Sequence, residues 1–141
     1  MSGEYLLNNV QSGVYIDINV GGELVVEGQT IAEITARGDE PNIIGGQNGE
    51  RVTVECDGDC WLHVPESAVL TIGHVDGAAK VSGIQGLIKI DQVDGDLTLQ
   101  DVGGDVQISN VDGDLLIMRA GGSVKVDNIS GRAKFQKIMG P

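Results

Sequence analysis

Eight glycines stand nine residues apart, at Gly77, Gly86, Gly95, Gly104, Gly113, Gly122, Gly131 and Gly140. A fixed period of this kind marks a repeat architecture, in which each unit is too small to fold alone and must stack on its neighbours. Aligned in nines from Glu66, the chain reads ESAVLTIGH, VDGAAKVSG, IQGLIKIDQ, VDGDLTLQD, VGGDVQISN, VDGDLLIMR, AGGSVKVDN and ISGRAKFQK. Position five is Leu70, Ala79, Ile88, Leu97, Val106, Leu115, Val124 and Ala133, and position seven is Ile72, Val81, Ile90, Leu99, Ile108, Ile117, Val126 and Phe135. Residues two apart share one face of a strand, so each row predicts a short half-buried strand followed by a turn. The glycine at position three is expected to supply a backbone conformation that a side chain would penalise.

A second period lies over the first. Val-Asp-Gly recurs at 75, 93 and 111, while the alternate rows begin Ile-Gln-Gly, Val-Gly-Gly and Ala-Gly-Gly. Odd and even rows therefore occupy different environments. The expected fold is all-β: a parallel β-helix or β-roll-like solenoid of nine-residue strand-turn repeats. Each coil has 18 residues and places one strand in each of two parallel sheets, so like positions stack about 4.8 Å apart. An antiparallel meander would not stack them, and the 18-residue echo speaks against it. Residues 66–141 form the repeat region, and residues 1–65 an N-terminal β cap of strands and hairpins.

Within the cap, Val14, Ile16, Ile18 and Val20 alternate with polar residues. Gly21-Gly22 then predicts a hairpin into Glu23–Glu27, although VGGELVVEG (20–28) also has row-like spacing. Ile31, Ile34 and Ala36 predict a weaker strand, and residues 39–50 a loop. A second hairpin is expected about Asp57-Gly58-Asp59, setting Cys56 against Cys60, Val54 against Leu62 and Val52 against Val64. That arrangement buries these six side chains and turns Trp61 and His63 to the other face.

Composition narrows function. Only Tyr5, Tyr15, Trp61 and Phe135 are aromatic, so the core is aliphatic. The net charge of -12 repels phosphate backbones and anionic lipid. Nucleic acid is thus excluded as a partner, whereas a cationic protein fits. The start of the chain lacks a basic and then apolar leader, and no stretch approaches the roughly 20 apolar residues of a membrane span. The expected location is cytoplasmic, or exported if a signal has been removed.

Two clusters invite metal chemistry. Cys56, Cys60 and His63, with His74 as a distant fourth, match no strong zinc spacing. Asp76, Asp94 and Asp112 should form a column, with Asp96 and Asp114 beside it, and repelling carboxylates of this kind draw divalent cations such as calcium. The rows lack the second glycine and the fixed aspartate of the calcium-binding nonapeptide, so turn aspartates in water are the simpler reading. No serine, cysteine or lysine has an evident base. No catalytic residue, metal or cofactor is therefore expected, and the chain is not expected to be an enzyme.

Val64-Pro65-Glu66-Ser67-Ala68 leads into the rows, followed by Gly95-Asp96-Leu97-Thr98-Leu99, Gly104-Asp105-Val106-Gln107-Ile108 and Gly113-Asp114-Leu115-Leu116-Ile117. Over residues 14–137 this resembles a bacterial β-strand-repeat domain of adhesin type. The resemblance implies a β-helical fold, no known catalysis, and links to envelope stress or surface attachment. The expected role is a non-enzymatic structural scaffold that self-associates, as a dimer or filament, through Phe135, Ile138 and Met139 near an open C-terminal edge. The alternative is an acidic binding module of adhesin or envelope-stress type for a cationic protein or surface ligand.

Overall fold

The computed structural model describes residues 2–8, 15–30, 33–39, 42–45 and 51–136. Every element among them is a strand: β1 (Ser2–Asn8), β2 (Tyr15–Val20), β3 (Leu24–Gln29), β4 (Glu33–Asp39), β5 (Asn42–Gly45), β6 (Val52–Cys56), β7 (Cys60–Pro65), β8 (Val69–Val75), β9 (Ala79–Ser82), β10 (Ile88–Val93), β11 (Leu97–Val102), β12 (Val106–Val111), β13 (Leu115–Ala120), β14 (Val124–Ile129) and β15 (Ala133–Gln136). They make two sheets. One has the order β1-β4-β7-β3-β9-β11-β13-β15 and the other β14-β12-β10-β8-β2-β6-β5. The protein is thus all-β, with mostly parallel strands.

From β8 onward, successive strands alternate between the sheets. Each pairs in parallel with the strand two rows away, in the register Leu70↔Ile88↔Val106↔Val124 in one sheet and Ala79↔Leu97↔Leu115↔Ala133 in the other. The pairing offset is the 18-residue echo. Positions five and seven point inward, and Ile88, Ile90, Leu97, Leu99, Leu115 and Ile117 are all buried. Val75, Val93, Val102 and Val111, at the first position, close the core at the turns. Both sheets contribute to this one apolar cluster. Among the described residues no polar or charged side chain is buried, so the interior is held by apolar burial, roughly 1.5–3 kcal/mol for each Val, Leu or Ile.

The predicted hairpins do not form. β2 lies in one sheet and β3 in the other, and β6 and β7 separate in the same way. Each pair is a row-to-row turn: Val20 registers on Cys56 and Leu24 on Cys60, while Leu24 also registers on Ala79. VGGELVVEG therefore lies in the sheets beside the nonapeptides, as its spacing allowed. An apolar face on each arm of a Gly-Gly or Asp-Gly-Asp turn needs a sheet opposite, and crossing between the two sheets supplies one. Alternation survives the change: Val52, Val54, Cys56, Cys60, Leu62 and Val64 are buried, and Trp61 and His63 are exposed.

The spacing here hides the repeat. Ile16 precedes Leu24 by eight residues, whereas Leu70 precedes Ala79 by nine. The added residue is Gly73, where Ile18 faces Ile72 but Asn19 faces His74 across a register shift. β6–β7 packs outside β2–β3, so the chain returns past its own earlier strands to start β8. At that crossing the Glu66 amide donates to the Gln29 carbonyl at 2.8 Å, and the Glu66 carbonyl accepts from Gln85 at 2.7 Å. β1, β4 and β5 add the antiparallel pairings β1–β4, β4–β7 and β5–β6 at this end. β5 lies within the 39–50 segment expected to be a loop. β14 and β15 are the outermost strands at the opposite end.

Candidate functional site

The turns are held by close contacts between backbones. Gly113 donates its amide to the Gly95 carbonyl at 3.2 Å, and Gly95 to Gly77 at 3.1 Å. A Cβ on Gly95 would lie 2.8 Å from the Gly77 carbonyl carbon, too close for any side chain. Gly86, Gly95, Gly104, Gly113, Gly122 and Gly131 are therefore required by backbone approach, whereas Gly77 leaves 3.2 Å. The expectation of a special dihedral is corrected: Gly38 and Gly83 are the described glycines with positive φ.

The aspartates that follow Gly95, Gly104 and Gly113, and Asp59 after Gly58 in the cap, each join two levels of the sheets. Asp96 Oδ1 accepts the Asp114 amide at 2.8 Å, Asp114 Oδ1 the Arg132 amide at 2.9 Å, Asp105 Oδ1 the Ser123 amide at 3.0 Å and Asp59 Oδ1 the Glu23 amide at 3.0 Å. Asp96, Asp105 and Asp114 thus satisfy backbone donors 18 residues further on.

Asp76 and Asp94 behave differently. His74 Nε2 lies 2.8 Å from Asp76 Oδ1 and 3.1 Å from Asp94 Oδ2, and Gln92 Nε2 donates to Asp94 Oδ1 at 2.9 Å. The hydrogen bond to His74, then that to Gln92, holds the Asp94 carboxyl below its usual range. His74, Asp76 and Asp94 form the three-residue group that could hold a divalent ion among the described residues. One imidazole and two carboxylates suit a borderline metal such as zinc. Asp112, expected in the same column, is not part of the group. All three members are exposed, and the imidazole already sits between the two carboxylates.

The other expected cluster keeps its two cysteines together but not His63. Cys56 and Cys60 are buried and not joined in a disulfide, while His63 faces outward, 3.5 Å from Glu27. A hydrogen bond to Cys56, burial and charge repulsion from the same Cys56 sulfur all push the Cys60 thiol upward in pKa.

One corner escaped the sequence reading. Asp101 (φ 53°) and Arg119 (φ 56°) are left-handed, in line with Gly83 (φ 72°). Such a backbone is strained for an arginine. The Arg119 guanidinium spans the Asp101 carboxylate with Nε on Oδ1 and Nη2 on Oδ2, the latter at 3.0 Å, and lowers the Asp101 pKa. Gly83, 18 residues before Asp101, was the available signal.

The terminal strands carry the candidate association site. Phe135 continues the column of Leu99 and Ile117. Ile117 is fully buried, whereas Phe135 is 47% exposed. Val124, Val126 and Ile129 are only partly buried against the core, and Ala133 is exposed. Ile138 and Met139, the other expected association residues, lie outside the described residues. Charge changes sign along the chain as well. Residues 1–66 hold twelve acids and two bases, residues 67–114 eight and two, and residues 115–141 one and five. The net charges are -10, -6 and +4. This polarity was legible in the sequence but masked by the overall total.

Comparison with protein-family models, with curated proteins and with solved structures finds no match for this chain. No described helix is long and apolar enough to cross a membrane.

Proposed function

We propose that the protein is a non-enzymatic β-solenoid scaffold that self-associates through the strands at its C-terminal end. The alternation of β8–β15 between two sheets with an 18-residue offset supports reading the sheets as the walls of one coil. The observation that carries the functional reading is the terminal pair β14–β15. Its inward positions are the apolar columns of the core, but Phe135 is half exposed where Ile117, one level in, is fully covered. Strand edges of this kind recruit further strands. The alternative, an acidic module for a cationic ligand, is supported by the net charge of -12 alone.

Sedimentation velocity across a concentration series tests the proposal, with wild type compared to Phe135→Asp and to the control Thr98→Asp. Covering the exposed half of Phe135 contributes on the order of 1 kcal/mol. A carboxylate at that position adds a desolvation cost, so the dissociation constant should rise roughly tenfold or more. Thr98→Asp should leave it unchanged. A wild type that stays monomeric at the highest concentration, with Phe135→Asp behaving identically, would sink the reading.

A further inference from the structure

We infer that association is head to tail: the basic C-terminal end of one copy seats on the acidic N-terminal end of the next, giving an open, polar assembly. This rests on the self-association reading above and adds the identity of the mating surface.

Three observations carry it. First, the two ends of the sheets differ in charge. β14, β15 and the turn between them present Lys125, Arg132 and Lys134 against the single acid Asp127. At the other end β1, β4, β5 and β6 carry Glu4, Glu33, Asp39 and Glu55 against the single base Arg37. Two copies meeting by like ends would set bases against bases or acids against acids, which opposes association. Unlike ends attract.

Second, the strand directions suit continuation. β1 is antiparallel to β4 and β4 to β7, so β1 runs in the same sense as β7 and, through the parallel ladder, as β15. A copy placed on β15 through its β1 would extend the larger sheet in parallel. In the smaller sheet, β14 would meet the antiparallel edge strand β5. Third, the apolar residues left partly uncovered at the basic end, Phe135, Val126 and Ile129, gain cover from any copy so placed. A head-to-tail contact that does not close on itself builds a filament.

Charge reversal separates this from a two-fold dimer. A tail variant (K125E/R132E/K134E) and a head variant (E4K/E33K/E55K) are each studied alone, mixed, and combined in one chain, with circular dichroism checking the fold of each. Head-to-tail association requires that each variant alone be monomeric and that mixing them, or combining both sets of changes, restore association. If the head variant alone associates like wild type and the tail variant is not rescued, the contact is between two C-terminal ends and the inference is overturned. Self-association itself would then stand.

Salt provides a measurement that needs no variant. Unlike ends predict that raising salt from about 0.05 to about 0.5 M weakens association roughly tenfold. Like ends predict strengthening, an outcome that would refute the inference. A wild type that is monomeric in low salt at every concentration removes both this inference and the reading beneath it.

Discussion

Replacing Gly104 by alanine tests the geometry that organises the molecule. A Cβ there would sit 2.7 Å from the Gly86 carbonyl carbon and 2.8 Å from the Gln85 carbonyl oxygen, and closer still to the Gly86 oxygen. Restoring an ordinary 3.4 Å contact to Gln85 alone requires the two turns to part by about 0.6 Å. The Gly103 amide to Ile84 (2.9 Å) and the Ile88 amide to Asp105 (3.0 Å) span the same gap. Stretched by that amount, both pass beyond normal hydrogen-bonding distance. Forced overpacking costs about 1–3 kcal/mol, and each weakened bond up to about 1 kcal/mol. Gly104→Ala should therefore destabilise by roughly 2–4 kcal/mol, or roughly 8–16 °C for a domain of this size. Gly121 provides the control. Its added Cβ would meet Gly103 at 3.5 Å, an ordinary contact, with no left-handed φ. Gly121→Ala should be neutral, or stabilising by up to about 1 kcal/mol through the unfolded chain. Urea denaturation followed by circular dichroism measures both. Equal effects from the two substitutions, or a Gly104→Ala loss under about 0.5 kcal/mol, would refute the reasoning.

Two further outcomes follow from the turns. Asp96→Ala should cost about 1 kcal/mol by leaving the Asp114 amide without its acceptor, whereas Asp96→Asn, which keeps an oxygen in place, should cost less than half as much. An asparagine as damaging as alanine in urea titrations would count against the row-joining role. Asp94 and Asp101 are both depressed in the folded state, chiefly by hydrogen bonds to His74 and to Arg119. Their stabilisation is present in full above the unfolded carboxyl value of about 3.9 and is lost as pH falls through the lower folded values. Carboxyl NMR titration should find both midpoints below the unfolded value, and Asp94→Asn should flatten the acid limb of the stability curve. Midpoints at or above the unfolded value would contradict it.

How legible the fold was depended on spacing. From Glu66 onward every row has nine residues, and both the inward columns and the 18-residue pairing could be read directly. The rows at 16–28 and 52–64 have eight, since β2 and β6 have no residue equivalent to Gly73. A search for nines therefore passes over them, and local turn chemistry points to hairpins instead. Asp-Gly-Asp between two alternating arms looks the same whether the arms pair with each other or part into two sheets. The turn aspartates were visible as a column, but not their division of labour. Asp96 and Asp114 accept amides from 18 residues further on, whereas Asp76 and Asp94 converge on His74.

The amino-acid order by itself determined the periodicity: which side chains face inward, where the chain turns, and that each level resembles the one 18 residues on. These are properties of short segments, set by alternation and by glycine. Tertiary structure decided the order of levels. It inserted β2–β3 between β6–β7 and β8–β9, placed antiparallel strands at one end, and left Phe135 half covered at the other. No local pattern encodes such choices, because each depends on which distant strand lies alongside, and apolar burial rewards contact between faces without regard to their separation along the chain.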